Sequence, residues 1–452
     1  MKTTNQNLKL PMLGIRIALS IGIITMLGSI TLLALRDVIR SDIQEPGKAW
    51  NLATGRLLGL WTATFLLFQP LLSLHWPKLE SILSLDQRLK IHRILGIACL
   101  TLAFLHPLFI YGSTLRTTGP WDVGLWPEGL GLMALIGLWF VVISSTKRSF
   151  LLLSWELWQK MHFLAVPVIG LILAHLFSVS PFQRREGLLI GWIVLLGLWA
   201  CTLTWLKIIR PIPYARGNRY QLRDIRSVAH RITELTVSPM GCDRIFSFEP
   251  GQYAFIRWPH ATVAPETHPF TIASSPVDQQ ILQFAIKASG DFTKTLAQLK
   301  PGDIAQIDGP YGRFTLSDFG RVHSLVMVAG GIGVTPMLSI LRSLALQEQR
   351  PVVTLIWSNR TGENIPYREE LAEIQKQWPQ LSIHYILTQD QALHGAHYGR
   401  LDHKSLRALV PDYKSDTHVM LCGPYRMIRD ISRAFRRLGY PRRSIHYEMF
   451  AL

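Results

Sequence analysis

Charged residues are scarce in this chain of 452 residues, and cysteines are scarcer still. Only 17% of the residues are Asp, Glu, Lys or Arg, whereas 48% are hydrophobic, and this balance excludes an intrinsically disordered chain. Four cysteines are spread over the whole length, which excludes a small disulfide-stapled secreted protein. They also lack the close spacing of an iron–sulfur ligand set.

Acidic residues are fewer than basic ones: the chain has 30 Asp and Glu and 47 Lys and Arg. No nucleic-acid-binding motif accompanies this positive charge, so nucleic acid is not an expected partner. Residues 1–215 hold 28 charged residues and 11 of the 14 Trp, whereas residues 216–452 hold 49 charged residues. This contrast predicts a membrane domain followed by a soluble one, with the basic excess suited to anionic lipid.

Six uncharged stretches in the first half are each 18 to 23 residues long, which is enough to cross a bilayer as a helix. The first is longer than the apolar core of a signal peptide, so we predict that it is an anchor. The predicted spans are Ile17–Leu35, Leu57–Pro77, Ile94–Leu115, Gly129–Thr146, Met161–Gln183 and Gly187–Leu206.

An even number of spans places both termini on the same side of the membrane. The Lys and Arg bias of the loops favours the cytoplasmic side weakly, and the nucleotide-binding signals described below favour it more strongly. We therefore predict a multi-pass protein of the plasma or inner membrane with cytoplasmic N- and C-termini.

Four histidines form two pairs on the helices of two predicted spans: His92, just before the apolar stretch, and His106 on the third, and His162 and His175 on the fifth. Separations of 14 and 13 residues spread each pair by roughly 20 Å along its helix, inside a core about 30 Å thick. Because both spans run in the same direction, His92 matches His162 in depth and His106 matches His175. Two facing imidazoles at each of two depths predict two b-type haems, one above the other.

Polar helix packing is the alternative for these histidines, although ionisable groups inside a membrane are usually functional. The helical spacing leaves one geometric point open. Fourteen residues return to nearly the same helix face, about 40° away, whereas thirteen leave roughly 140°. Pro167 lies between His162 and His175 and could distort the fifth span.

The second half begins with short alternating strands and Gly/Pro turns, typical of a small antiparallel barrel. From Ser324 the pattern becomes α/β: a buried strand is followed by the glycine-rich turn 330–336 and a helix. Such glycines let the backbone approach a pyrophosphate at a helix N-terminus. A second strand and turn, 419–424, repeats this geometry.

With these motifs in order, residues 216–452 resemble the ferredoxin–NADP reductase family, an FAD-binding barrel followed by a nicotinamide-binding domain. The motif His268-Pro-Phe-Thr271 begins with His where the soluble reductases usually have Arg. This motif and the paired histidines resemble the ferric reductase and NADPH oxidase branch. The predicted fold is therefore a multi-domain membrane protein. It comprises a six-helix haem-binding transmembrane bundle (1–210), an antiparallel β-barrel FAD domain (216–320) and an α/β NAD(P)-binding domain (321–452).

The resemblance implies site residues in both soluble domains. For FAD they are His268, near the phosphates, with Pro269, Phe270, Thr271, Gly290, Phe292 and Thr293. For the nicotinamide cofactor they are Gly330, Gly331, Gly333, Thr335, Pro336, Gly423 and Pro424. Two further residues take catalytic roles by resemblance: Cys422 beside the nicotinamide and Phe450 over the flavin ring. Purely structural roles are the alternatives for three of these residues. Thr293 could cap a helix, and Cys422 and Phe450 could be residues of the hydrophobic core.

The strand 352–359 bears on the choice between NADPH and NADH. An acidic residue after this strand would bind a ribose 2′-hydroxyl, whereas an Arg accommodates a 2′-phosphate. This chain offers Ser358 and Arg360, with no acid before Glu363. We therefore favour NADPH, with NADH as the alternative and a solvated surface Arg as the simpler explanation.

Together these features predict electron flow from cytosolic NAD(P)H through FAD, an inner haem (His92/His162) and an outer haem (His106/His175) to an acceptor outside. Three acceptors stay open: ferric chelates, dioxygen, or a periplasmic partner protein for which the chain is an electron-carrying module. The NADPH oxidases of animals have a further His four residues after the outer haem ligand of the third span. The corresponding ligand in this chain is His106, and the residue four positions later is Ile110. That difference disfavours dioxygen.

Overall fold

The computed structural model describes most of the chain, in two compact units, Met1–Pro211 and Ile212–Leu452. The described residues are 46–74, 83, 85–114, 125–147, 150, 155–178, 197, 200, 201, 204, 219–241, 245–319, 322–389, 393–414 and 416–449. The first predicted span, nearly all of the sixth, the junction between the domains and Phe450 lie outside these residues.

All described secondary structure of unit 1 is helical. Its helices are α1 (Pro46–Leu72), α2 (Leu85–Thr114), α3 (Leu125–Thr146), α4 (Trp155–His162) and α5 (Ala165–Ser178). Three segments are long and apolar enough to cross a membrane: Gln87–Tyr111, Glu128–Thr146, and Leu157–Ser178 across α4 and α5. These segments match the third, fourth and fifth predicted spans, and α1 occupies most of the second.

The outer surfaces of these helices are apolar, as in a protein that faces lipid. Ile94, Phe104 and Leu108 of α2 are each more than half exposed, and so are Leu132 and Ile136 of α3. Large exposed apolar surfaces of this kind are unusual on soluble monomers. The exposure pattern therefore agrees with the membrane interpretation.

A short break at residues 163–164 separates α4 from α5. Proline has no N–H to donate, so Pro167 cannot complete the helical bond to the carbonyl of Phe163. Val166 instead donates to that carbonyl (3.0 Å), an i,i+3 bond that tightens the turn. The fifth predicted span is consequently two helical segments joined next to His162.

Unit 2 begins with a six-stranded antiparallel sheet in the order β4-β3-β6-β1-β2-β5. Its strands are β1 (Arg219–Ala229), β2 (Ile232–Pro239), β3 (Tyr253–Arg257), β4 (Thr267–Thr271), β5 (Leu282–Lys287) and β6 (Ile304–Tyr311). Just beyond β4, Ala273 donates its backbone N–H to Gln283 of β5 (2.8 Å), which brings the two edge strands together. A short helix, α6 (Asp291–Thr295), follows β5.

The rest of unit 2 is a parallel sheet in the order β10-β9-β8-β7-β11-β12. Residues 325–329 of the central strand β7 are fully buried, as expected for a strand covered on both faces. Its strands are β7 (Ser324–Gly330), β8 (Val352–Asn359), β9 (Leu381–Leu387), β10 (His397–Tyr398), β11 (Thr417–Gly423) and β12 (Ile445–Met449), and its helices are α7 (Thr335–Ala345), α8 (Arg368–Gln377), α9 (His403–Leu409) and α10 (Tyr425–Arg437).

Candidate functional site: two imidazole pairs and a two-cofactor cleft

The first histidine pair joins α2 to α4. The ring centroids of His92 and His162 lie 5.9 Å apart, with the ring planes tilted by 55°. Nδ1 of His92 lies 3.2 Å from the carbonyl oxygen of Gln69 in α1. Because a carbonyl can only accept, this bond places the proton on Nδ1 and leaves Nε2 free to bind a metal.

Ser145 in α3 orients the other ring of this pair. Its hydroxyl donates to the carbonyl of Val141 (2.7 Å) and lies 3.1 Å from Nδ1 of His162. Since a hydroxyl has one proton to donate, the Ser145 oxygen accepts from Nδ1–H of His162. The indole of Trp158 also stacks on the His162 ring, with centroids 5.3 Å apart.

The second pair joins α2 to α5. The centroids of His106 and His175 are 6.2 Å apart, and the planes meet at 79°. Nδ1 of His106 donates to the carbonyl of Gly55 in α1 (2.7 Å). Glycines make room for both rings: a Cβ added at Gly59 would lie 3.0 Å from the His106 ring, and one at Gly131 would lie 3.0 Å from the His175 ring.

Both pairs fit a bis-imidazole metal site. A metal–nitrogen bond of about 2 Å on each side, plus about 1 Å from nitrogen to ring centre, gives a centroid separation of about 6 Å. Among the described residues, no group of three or more His, Cys, Asp or Glu side chains could hold a metal ion. Histidine is an axial ligand of haem iron in proteins, and the separation of each pair fits that role.

The predicted flavin residues lie on β4, which pairs with β3 from Ile256↔His268 to Tyr253↔Thr271. His268 contacts Glu266 (2.7 Å) and stacks on Phe292 with ring centroids 4.1 Å apart. The Thr271 hydroxyl is buried and has no hydrogen-bond partner among the described residues. A buried polar atom of this kind is costly unless a ligand satisfies it, so Thr271 fits a flavin site.

The segment 290–293 forms the start of α6. Thr293 Oγ1 accepts from the backbone N–H groups of Gly290 (2.9 Å) and Ser289 (3.0 Å), and Phe292 is buried. The hydroxyl of Thr293 is therefore engaged in starting the helix. The place of Thr293 in a flavin site stays a prediction.

The two glycine turns meet at the carboxyl ends of β7 and β11. These strands are neighbours, although they are far apart in the sequence, so the order of the sheet reverses here and leaves a crevice for a ligand. A Cβ at Gly333 would lie 2.4 Å from the carbonyl oxygen of Cys422, and one at Gly330 would lie 2.8 Å from Pro424 Cδ. Only glycines allow this approach.

Two further contacts shape the glycine turn. Gly331 has a φ of +56°, in the left-handed region that favours glycine. The Trp357 indole donates to the carbonyl of Gly331 (2.9 Å), and Thr335 Oγ1 donates to that of Ile332 (3.0 Å). The turn leads into α7, with Pro336 in its first turn. Cys422 is fully buried at the end of β11.

A group of cations lies beyond β8. Ser358 pairs with Gly330 across the sheet, and Arg360 follows with an exposed side chain. Burial lowers the pKa of Lys287 in β5, and the positive charges of Arg360 and Arg231 lower it further. Arg231 and Lys287 belong to the barrel, so sequence reasoning about β8 alone missed them. Lys287 therefore lies near two other positive charges, and such a group of cations suits a phosphate.

Arg342 of α7 links the two soluble domains. It donates to both carboxylate oxygens of Glu370 (2.5 and 2.7 Å) and to the carbonyl of Ala273 (2.8 Å). Ala273 lies two residues past the flavin strand, and α7 begins at the glycine turn. The link therefore ties the predicted flavin segment to the predicted nicotinamide turn. Nothing in the local sequence pattern had indicated it.

Three protein-family models match the chain in succession. The Ferric reductase like transmembrane component matches residues 58–173, an FAD-binding domain matches 221–315, and an Oxidoreductase NAD-binding domain matches 327–433. These matches define an oxidoreductase class that combines flavin and nicotinamide binding with a transmembrane component. The chain has the domain architecture of the ferric reductase and NADPH oxidase family.

Two curated relatives each match less than half of this chain. The chain is 28% identical to NADH-cytochrome b5 reductase 2-B of Vanderwaltozyma polyspora, over 44% of this chain and 67% of that protein. It is 33% identical to NADH-cytochrome b5 reductase 1 of Candida glabrata, over 34% of this chain and 54% of that protein. The chain thus spans about two thirds or less of these relatives' lengths.

Two solved structures each resemble about half of this chain. The flavohem-like FAD/NAD binding domain of a nitric oxide dioxygenase from Vibrio cholerae is 21% identical, with a TM-score of 0.47, covering 52% of this chain and 98% of that one. A ferredoxin NADP+ reductase from Neisseria gonorrhoeae is 18% identical, with a TM-score of 0.45, covering 51% and 97%.

Proposed function

We propose that this chain is an NADPH-dependent transmembrane electron-transfer enzyme that holds FAD and two b-type haems and reduces an extracytoplasmic acceptor. The observation that carries the proposal is the presence of two imidazole pairs with centroids 5.9 and 6.2 Å apart. When bound, the flavin would supply hydride acceptance and single-electron release, and each haem would supply a one-electron site.

The chain's own residues bind and orient these groups. His92 with His162, and His106 with His175, would supply the axial imidazoles, held by Gln69, Ser145 and Gly55. Strand β4 and the turn at Gly290 would hold the flavin. The two glycine turns would receive the nicotinamide cofactor beside Cys422, and Arg360 would contact its 2′-phosphate. Both termini would then lie in the cytoplasm, in line with a nucleotide-binding soluble half.

A ferric chelate is the acceptor that the outer end of unit 1 supports best. Ile110 lies one turn beyond His106, and its side chain packs where a Cβ on Gly55 would stand, 2.7 Å from Ile110 Cδ1. An apolar side chain there offers dioxygen no hydrogen bond. Reduction of a chelated ion needs only electron transfer across a short gap, without a ligand from the protein.

The test uses the purified full chain. We expect a low-spin b-type spectrum, and His106→Leu should remove about half of the haem absorbance while leaving the flavin in place. With NADPH, ferrous ion should be trapped at the same rate without oxygen. Preparations without haem would contradict the proposal. Superoxide-dismutase-sensitive cytochrome c reduction would identify dioxygen as the acceptor, and activity that appears only with an added protein would identify an electron-carrying module.

A further inference from the structure

The positive charge of the soluble half is concentrated on one helix and the turn that follows it. Residues 216–452 contain 28 Lys and Arg against 21 Asp and Glu, a net of +7. Residues 425–443, which comprise α10 and the turn after it, contain seven Arg and one Asp, a net of +6. The remainder of the soluble half is therefore almost neutral.

Five of these arginines form a stripe along α10. At about 100° per residue, positions 426, 429, 433, 436 and 437 fall within an arc of about 100°. All five are exposed, whereas Ile428, Ile431, Ala434 and Phe435, on the opposite side, are buried in the domain. Arg442 and Arg443, also exposed, extend the charge past the end of the helix. We call these seven side chains the arginine stripe.

This arrangement costs the folded helix stability. Like charges three or four residues apart on a helix repel one another, and the stripe contains several such pairs, including Arg429 with Arg433. Asp430 offsets part of this repulsion through contacts with Arg429 (2.9 Å) and Arg433 (3.7 Å). A helix that keeps a repulsive row of cations on one face is better explained by an anionic surface than by solubility alone.

Two features indicate that the anionic surface bound by the arginine stripe is a lipid surface. The chain's own apolar helices hold it at a bilayer, so lipid headgroups are always present at high local concentration. All seven residues are Arg, whose planar fork suits phosphate oxygens. Apart from the exposed ring of Tyr425, the apolar residues of α10 are buried or half-buried in the domain, so the helix would bind at the headgroups without inserting deeply.

We propose that the arginine stripe binds the anionic phospholipid headgroups of the leaflet that the soluble half faces. Each basic residue held near such a surface strengthens attachment by about fivefold. Because α10 follows Gly423 and Pro424 directly, this attachment would hold the nucleotide-binding domain at the membrane surface.

The experiment compares the full chain in nanodiscs of neutral phosphatidylcholine with discs containing about one third phosphatidylglycerol. Backbone hydrogen exchange in α10 should be about tenfold slower in the anionic discs at low salt, because bound headgroups suppress helix opening. Salt of about 0.5 M should remove the difference, since it shortens the Debye length. No nucleotide or acceptor is added, so the result is independent of the proposed enzymatic function.

Matched variants identify the residues responsible. The first replaces the five stripe arginines of α10 with Gln, which keeps helix propensity, and should abolish the lipid effect. The control variant should retain the lipid effect. It removes five positive charges from exposed basic residues elsewhere in the soluble half by changing each to Gln: Lys300, Lys376, Arg400, Lys404 and Lys414.

Three results would overturn the proposal. The first is equal exchange in neutral and anionic discs, which would leave an acidic protein as the partner. The second is an equal loss of the lipid effect in both variants, which would show that the effect depends on the net charge of the soluble half and not on the arginine stripe. The third combines two measurements: a raised KM for NADPH in the stripe variant, from a separate activity assay, and no lipid-dependent exchange in the wild type, which together would show that the stripe attracts the nucleotide.

Discussion

The hydroxyl of Ser145 lies 3.1 Å from Nδ1 of His162 while donating its own proton to the carbonyl of Val141. This pair of bonds determines which nitrogen of His162 carries the proton. It leaves Nε2 of His162 without a proton, as axial ligation requires.

Replacing Ser145 should therefore weaken the inner haem site. Outer-shell partners of a ligating His are worth about 10- to 100-fold in metal affinity, so Ser145→Ala should lose a large part of the inner haem. The measurement is haem content per flavin, with the low-spin EPR signals resolved. Ser144→Ala is the matched control, because Ser144 also donates to Val141 (3.0 Å) and is buried nearby. Equal loss in the two variants would contradict the orienting role of Ser145.

Gly131 should be intolerant of a side chain for a steric reason. A Cβ there would lie 3.0 to 3.4 Å from three ring atoms of His175, so Gly131→Ala should displace the ring and reduce outer haem content at least twofold. Gly129→Ala is the control, because no atom lies within 4 Å of a Cβ at that position. Full haem content in Gly131→Ala would show that the ring has room to move.

The choice of nucleotide should depend on Arg360. Hydrogen bonds to charged groups contribute about 1.5–3 kcal/mol, so Arg360→Gln should raise the KM for NADPH by roughly 10- to 100-fold. The KM for NADH should change little, because NADH has no 2′-phosphate. An equal change for both nucleotides would rule out this role. Arg350→Gln serves as the control, since the described contacts of Arg350 are with Gln347, Gln377 and the Trp378 ring rather than with the group of cations beyond β8.

The link made by Arg342 should matter for both stability and hydride transfer. Arg342→Met leaves Glu370 and the Ala273 carbonyl without their charged donor, at a cost of about 1–3 kcal/mol. We expect the midpoint temperature of flavin release to fall by several degrees. Flavin reduction at saturating NADPH should also slow, because α7 would no longer be held against the segment after β4. An unchanged reduction rate would limit Arg342 to a structural role.

Alkaline pH should weaken the packing around Tyr440. Burial, and then the nearby charge of Asp412, raise the pKa of Tyr440 to about 12, above the value of about 10 in an unfolded chain. Its stabilising contribution is therefore complete below about pH 10 and is lost as the pH rises through about 12. The difference in thermal midpoint between the wild type and Tyr440→Phe should shrink over this range. A constant difference would contradict the shift.

Local patterns were sufficient for much of the fold. Apolar run lengths predicted helices where α2 and α3 lie, and alternation with glycine turns predicted an antiparallel sheet followed by a parallel one. The glycines of 330–333 were identifiable because few other residues allow such close backbone contact. Lys287, Arg231 and Trp357 were not identifiable, because they reach the nicotinamide turn and the end of β8 from distant parts of the sequence or through side-chain contacts. Phe450 lies outside the described residues, so its place over the flavin stays a prediction.

The sequence alone determined that four histidines stand in two pairs at matched depths, because a helix rises by a constant amount per residue. It did not determine whether one helix could present His162 and His175 to the same neighbour, since thirteen residues of regular helix turn them to different faces. The tertiary structure decided this. The missing N–H of Pro167 divides the helix after His162, and each segment turns its own imidazole towards α2.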